Sequence, residues 1–385
     1  MTGTRKFRVI LVGPWTGLGG VRTFMMNVAT SDLALTNEMF RFNIARPAKR
    51  NVTDNYGYGA MLKGGIVRVF LGAIITLWHL AIFPFVLLVR RPDVVQVQSS
   101  DFQVFWEASL YVSMARALRI PVLMRLGGAI DHFYSVSSPR ARAMIRGVLQ
   151  WPDILIVQSH YWRQTVEALG RTEGIVVLPN SVPDALAETA RVASGEAPLC
   201  FFAAGSEAVR KGFGEIVEAM RLLRAEGQRL RLRVVAATPD LERQITNAGI
   251  GDTVSAEGFL AHAQLIEAMR GAQIFLLPSH AEGFPNALVE AMALGLAPIV
   301  SPVGAIPEII EGIGAPVVPA KNPRALAHAI ARLVSDPALC ADTGAAARAA
   351  VKARYVHSTV MPILAEAWRT AAAPQASFKP DGAPS

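Results

Sequence analysis

Short, almost unbroken apolar runs recur along the whole chain, separated by stretches of helix length. In the first half they are Val9–Val12, Phe42–Ala45, Val94–Val97, Val122–Met124, Ile154–Val157 and Val176–Leu178. In the second half they are Leu199–Ala203, Leu232–Ala236, a short one near Val254, Ile274–Leu277, Pro298–Val300 and Pro316–Val318. A strand with one wet face alternates apolar and polar residues. A run that is apolar throughout suits a strand covered on both faces, as in parallel sheets flanked by helices. Strand and helix in alternation therefore predict an α/β chain. Between Asn180 and Pro198 the pattern fails in a loosely patterned, acidic stretch holding Pro183, Ser194 and Gly195. Two Rossmann-like halves facing a cleft are expected, residues 1–180 and 199–358, with ligands at the carboxyl ends of the strands.

Val69–Val89 is far too long for a strand, and its only ionisable member is His79. Three readings stay open. The preferred one is a helix buried in the first domain, because Pro84 and the Arg90-Arg91-Pro92 exit suit a helix feeding the strand at Val94. The second is a helix with an exposed face seated in a membrane surface. The third is a span, which the length permits but which would cut the first domain in two.

Composition narrows the class. The chain has 385 residues, enough for about two domains with real cores. With 52% apolar and 18% charged residues it is not a disordered chain. Cys200 and Cys340 are too few for a disulfide framework and fit a reducing, cytoplasmic compartment. No secretory leader is expected, since the first apolar run is short and leads into a glycine-rich loop. Residues 1–180 hold 20 Lys and Arg against 10 Asp and Glu, and the remainder 18 against 20. A basic half fits nucleic acid or an anionic membrane; with no nucleic-acid-binding motif, peripheral membrane contact is the reading kept. No metal-ligand spacing, Gly-x-Ser-x-Gly elbow or Walker loop is present. Residues 373–385, rich in Pro, Ala, Gly and Ser, are expected to be a disordered tail.

The chemistry concentrates between Ala281 and Glu311. Glu282-Gly283-Phe284-Pro285-Asn286 follows the apolar run Ile274–Leu277 and opens a helix that contains Glu290. Free amides at a helix N-terminus suit a phosphate. A carboxylate just before it, Glu282, can accept hydrogen bonds from sugar hydroxyls. A second about two turns on, Glu290, can hold the vicinal diol of a ribose. Together they point to a nucleotide-sugar site. Arg210-Lys211-Gly212, after the first strand of the second half, offers cations to a departing diphosphate. Gly19 and Gly20, after the first strand of the chain, let backbone approach a phosphate or sugar. Arg22, Arg125 and Asp131 are further candidates, and Trp15, Tyr134, Trp151 and Trp162 fill the core in preference to stacking on sugars.

The Glu-x7-Glu pattern with Gly-Phe after its first glutamate resembles the donor site of retaining family 4 glycosyltransferases of the GT-B fold. That resemblance is specific over about residues 199–320 and general over 1–198. It implies a metal-independent enzyme, without cofactor, that moves a sugar from a nucleotide-diphosphate donor to a saccharide or lipid-linked acceptor, with retention by front-face attack. It implies roles for Glu282 at the transferred sugar, for Lys211 and Glu290 on the donor, and for Gly258 and Phe259 near the nucleobase. It also implies that a last helix, about residues 360–372, crosses back onto the first domain. The chain departs from the pattern twice. Ser206 stands where the family has an arginine, for which Arg210 is the substitute, and Leu126 stands where the family has a histidine, for which His132 is the candidate. Two further classes stay open: a nucleotide-sugar epimerase or hydrolase of the same fold, and an inactive sugar- or membrane-binding relative.

Overall fold

A computed structural model describes residues 6–16, 19–45, 65–189 and 198–373. Two parallel sheets form. The first contains β1 (Phe7–Gly13), β2 (Asn37–Asn43), β3 (Val94–Ser99), β4 (Val122–Leu126), β5 (Ile154–Val157) and β6 (Ile175–Val177), in the order β2-β1-β3-β4-β5-β6. The second contains β7 (Leu199–Ala203), β8 (Arg231–Val235), β9 (Val254–Ala256), β10 (Ile274–Leu277) and β11 (Ala297–Val300), in the order β11-β10-β7-β8-β9. The α/β fold class is as expected. Two runs differ. β2 starts at Asn37 and ends at Asn43, because at this edge Asn37, Glu38 and Arg41 interrupt the apolar run. Val317 makes only an isolated bridge to Val300.

Alternation along the strands sorts the core into layers. On one face of the first sheet Val9, Leu11, Leu123 and Ile156 pack under helix Gly20–Thr30 (Phe24, Met25, Val28) and helix His357–Ala372 (Leu364, Trp368). On the other, Ile10, Val97, Met124 and Leu155 meet helices Gln103–Ala117, Pro139–Leu149 and His160–Ala168. The last helix thus lies on the first sheet, and Trp368 Nε1 donates to Gln96 Oε1 at 2.6 Å. Its start pairs with the outgoing crossing: Val182 N–H donates to the Tyr355 carbonyl and His357 N–H to the Val182 carbonyl, each at 2.9 Å. The tail expected at 373–385 lies, from 374 on, outside the described residues.

The long apolar run becomes helix Gly65–Arg90, and the preferred buried reading is corrected. Only 17% of its most apolar window, within Phe70–Arg90, is buried. Phe83 and Leu87 pack with Phe42 and Tyr111, whereas Phe70, Leu71, Leu77, Trp78, Phe85, Leu88 and Val89 are exposed. The reason is position. The helix lies against helix Gln103–Ala117 with one side, and no described layer covers the other.

Candidate functional site

Chain order in the second sheet reverses between β7 and β10, so the loops leaving these two strands stand side by side at their carboxyl ends. They are joined closely. His280 N–H donates to the Arg210 carbonyl at 2.8 Å, and Arg210 Nη1 donates to the Ala281 carbonyl. Gly212 has φ +83°, and a Cβ there would meet the Pro278 carbonyl oxygen at 2.3 Å. Glycine after Lys211 is therefore what lets the two loops touch.

Glu282, 7% exposed, stands between them. Its Oε1 accepts from Ser279 Oγ at 2.9 Å, and its Oε2 lies 3.4 Å from Arg210 Nη1. Arg210 also pairs with Glu207. Burial alone would lower the pKa of Arg210, but Glu282 and Glu207 hold it above its ordinary value. Lys211 is half-buried, with Nζ donating to the Ala203 carbonyl at 2.9 Å, and burial lowers its pKa against the opposing pull of Glu282. A compact group of two cations and two carboxylates, Glu282 and Glu207, results. Its cations are in place for an incoming diphosphate at little cost in reorganisation.

Helix Asn286–Ala293 begins here, and its N-cap, Pro285, supplies no side-chain cap. Gly283 and Phe284 form the approach. Gly304 (φ +56°) passes beneath them so closely that a Cβ would fall 1.8 Å from the Glu282 carbonyl oxygen. Glu290, 5% exposed, accepts from His262 Nε2 at 2.9 Å. This hydrogen bond raises the pKa of His262 above its ordinary value, burial opposing. Gly258 holds the β8 end through the Ala236 N–H at 3.1 Å, and Phe259 beside it is exposed.

The first domain closes the other side. Gly19 (φ +124°) is the N-cap of helix Gly20–Thr30, and a Cβ on Gly20 would lie 3.3 Å from Asn286 Nδ2. A Cβ on Gly283 would lie 3.4 Å from the Gly128 carbonyl oxygen, and Trp162 Nε1 donates to the Gly283 carbonyl at 2.9 Å. Glu282, Arg210, Lys211, Gly283, Phe284, Asn286, Gly19 and Gly20 thus share one cleft, with Glu290 one helix turn further in. His132 is exposed on helix Ile130–Val136, edge-on to Phe102. Asp101 lies within electrostatic reach of both His132 and Arg210. Burial raises its pKa, the Ala129 N–H lowers it, Asp131 raises it, and His132 and Arg210 lower it.

Sequence reasoning missed Asp101, His262, Ser279 and the side-chain role of Asn180. Asn180 Nδ2 donates to the Phe284 carbonyl at 3.3 Å and to Asn286 Oδ1, tying the hinge to the donor helix. Its Leu178-Pro179-Asn180-Ser181 setting, at the break between the halves, is the signal that could have found it, as Pro278-Ser279 at the end of an apolar run is for Ser279; Asp101 and His262 carry none beyond residue type.

The family model described as "Glycosyl transferases group 1" matches residues 187–350. The amylovoran biosynthesis glycosyltransferase AmsK of Erwinia amylovora is 32% identical over 180 residues, 44% of this chain and 44% of that protein. The putative colanic acid biosynthesis glycosyltransferase WcaL of Escherichia coli is 30% identical over 191 residues, 46% of this chain and 47% of that protein. The chain therefore matches about half the length of either relative. Among solved structures, sucrose-phosphate synthase from Thermosynechococcus elongatus superposes with a TM-score of 0.74 at 18% identity, covering 95% of this chain and 99% of that one. Anabaena HepE in complex with UDP-glucose gives 0.69 at 15% identity, over 94% and 98%. At such identities these two establish the fold, GT-B, and nothing finer.

Proposed function

We propose that this chain, whose residues 187–350 match the model of glycosyl transferases group 1, is a retaining glycosyltransferase of extracellular-polysaccharide assembly that takes its sugar from a nucleoside-diphosphate donor. The observation that carries the reading is the Arg210–Glu282–Lys211 group facing the open start of helix Asn286–Ala293. The names of the relatives, amylovoran and colanic acid enzymes, favour a polysaccharide product, and the HepE complex favours a UDP-sugar.

In this reading the amides at Gly283–Asn286 and the charges of Lys211 and Arg210 receive the diphosphate. Lys211 keeps two N–H groups beyond its bond to Ala203, and Arg210 exchanges part of its pairing with Glu282 for phosphate oxygen. Glu290 holds the ribose diol, with Phe259 and Gly258 beside the base. Glu282 orients sugar hydroxyls. The bond from the anomeric carbon to the phosphate oxygen breaks as the acceptor hydroxyl attacks from the same face, and its proton passes to the departing phosphate oxygen. The cations supply the charge balance, so no metal and no cofactor enters. His132 and Asp101 stand on the acceptor side.

The exposed side of helix Gly65–Arg90, with Trp78, Phe85 and Leu88 outward and Arg90-Arg91 at its exit, fits the interfacial region of an anionic membrane. A cytoplasmic protein docked there would meet a lipid-linked saccharide acceptor.

The test is release of nucleoside diphosphate from UDP-, GDP- and ADP-sugars, with and without lipid extract, beside Glu282→Ala. Release that needs the extract and disappears in the variant supports transfer. Fast release or sugar isomerisation without acceptor would favour an epimerase or hydrolase. No turnover and no nucleotide binding would sink the enzyme reading.

A further inference from the structure

The face of the first sheet that packs under helix Gly20–Thr30 changes character near the carboxyl ends of its strands. Apolar Val94, Leu123, Ile156 and Leu178 belong to the core there. Two residues further on in each strand or its exit, or four in the case of Val94, the same face carries Gln98, Arg125, Gln158 and Asn180. Gln98 and Arg125 are register partners across β3 and β4. All four side chains are buried, and Arg125 is 1% exposed.

Their hydrogen bonding is incomplete. Arg125 Nη2 donates to Asn180 Oδ1, and Gln158 Nε2 donates to the same oxygen at 3.2 Å. Among the described residues, Arg125 Nε, both amide atoms of Gln98 and Gln158 Oε1 have no partner. The guanidinium lies 3.8 Å from the centroid of the Phe24 ring. No carboxylate pairs with it among the described residues, and burial pushes its pKa down to about 9 with nothing acting to restore it. It is still a cation at neutral pH. A buried charge without a counter-charge is costly by several kcal/mol, so a fold that keeps one has a use for it.

Glycines pack next to the cluster. A Cβ on Gly127 would sit 3.0 Å from the Ser99 carbonyl oxygen, 3.2 Å from Val21 Cγ2 and 3.8 Å from Arg125 Nη1, and one on Gly20 would sit 3.3 Å from Asn286 Nδ2. Asn180, which now takes up one side of the guanidinium, also reaches Asn286 and Phe284 of the donor loop. An anion that displaced Asn180 from the guanidinium would meet Arg125 and the free amide atoms of Gln98 and Gln158 together.

We propose a second oxyanion subsite on the first-domain side of the cleft, with Arg125 as its floor and Gln98, Gln158 and Asn180 as its walls, that takes a phosphate or carboxylate group of a substrate. It is separate from the Arg210–Lys211 pair and rests on the cleft being a substrate site. The anion belongs either to the acceptor, as a uronate or phosphate, or to the donor's diphosphate.

Calorimetric titration of the full chain separates these sources. The probes are D-glucuronate, inorganic phosphate and UDP, the first two with and without saturating UDP, and D-glucose is the neutral control. Wild type is compared with Arg125→Met and Arg125→Lys. Glucuronate or phosphate binding that falls at least tenfold in Arg125→Met, with UDP binding kept within twofold, assigns an acceptor anion. A tenfold loss for UDP, with free phosphate and glucuronate bound weakly by all forms, assigns the donor's diphosphate. Equal binding by a folded Arg125→Met overturns the subsite. If that variant does not fold, the Nε–H signal of Arg125, assigned with Arg125→Lys by nitrogen-15 NMR of wild type, decides. A shift with any oxyanion and none with glucose supports the subsite, and no shift overturns it. Were UDP not to bind wild type at all, the donor reading would fail, while phosphate and glucuronate would still read Arg125.

Discussion

Nε2 of His262 lies 2.9 Å from Oε1 of Glu290, so the carboxylate proposed to hold the ribose already has a partner. The bond holds the pKa of His262 above 6.5. The pair's stabilisation is fully present below 6.5 and is lost as pH rises through the raised folded value. Arg22, facing the same ring, works against the proton. We expect donor affinity to improve as pH rises through that value, because neutral His262 competes less for Oε1. Titration of UDP-glucose between about pH 5.5 and 9 should show this, and His262→Ala should flatten it. A wild-type profile already flat would remove the competition.

Lys211→Met keeps the length of the side chain and deletes its charge. Loss of one preorganised charge at a developing anion costs about 10²–10³-fold in rate. A drop of that size in kcat/KM for sugar transfer, with an unchanged circular dichroism spectrum, is expected. A change within threefold would take Lys211 out of the reaction.

Gly212→Ala tests the loop contact. A methyl group at φ +83° and 2.3 Å from the Pro278 carbonyl should cost about 1–3 kcal/mol in strain and push the Lys211 loop off β10. Lower Tm and lost donor binding should appear together; normal values for both would show that the loops do not need each other.

Trp368→Ala removes a fully buried indole and its bond to Gln96. The cost expected is about 3–5 kcal/mol, borne by the first domain, since its partners Val9, Leu11 and Phe24 are there. Denaturant unfolding with intrinsic fluorescence and limited proteolysis would show the last helix released. Undiminished stability would contradict the packing.

Leu77→Ser with Trp78→Ser takes two exposed apolar groups off helix Gly65–Arg90. Co-sedimentation with vesicles of anionic lipid should fall several-fold, while turnover with soluble donor and detergent-dispersed acceptor stays within twofold. Equal sedimentation would place membrane contact elsewhere.

The strands were legible because both faces of each parallel strand are covered, so Ile274–Leu277 and Ile154–Val157 read as unbroken apolar runs. β2 was half hidden for the opposite reason: at an edge, Asn37, Glu38 and Arg41 are tolerated. Glu282 and Lys211-Gly212 were visible because a short motif fixes both spacing and neighbours. Asp101 and His262 were not, since each comes to the site from a different loop, and only the closing of the chain brings Asp101 within reach of Arg210 or His262 onto Glu290. Helix Gly65–Arg90 misled because an apolar segment reads alike whether protein or something else covers it. Ser181, at the crossing between the two halves, has a contact no sequence pattern shows: its Oγ is 3.0 Å from His357 Nδ1.

That contact sits beside the pairing of Val182 with Tyr355 and His357. The chain passes between its two lobes once after Asn180 and again near Val356, and the two passages run alongside each other, bonded as in a sheet. A lobe held by one thread can swivel in any direction. Held by two parallel threads clamped together, it turns most freely about an axis fixed by the pair, like a door on two pins. The cleft then opens and shuts along one path, and every closure returns Asn286 to Gly20 and Asn180 in the same alignment.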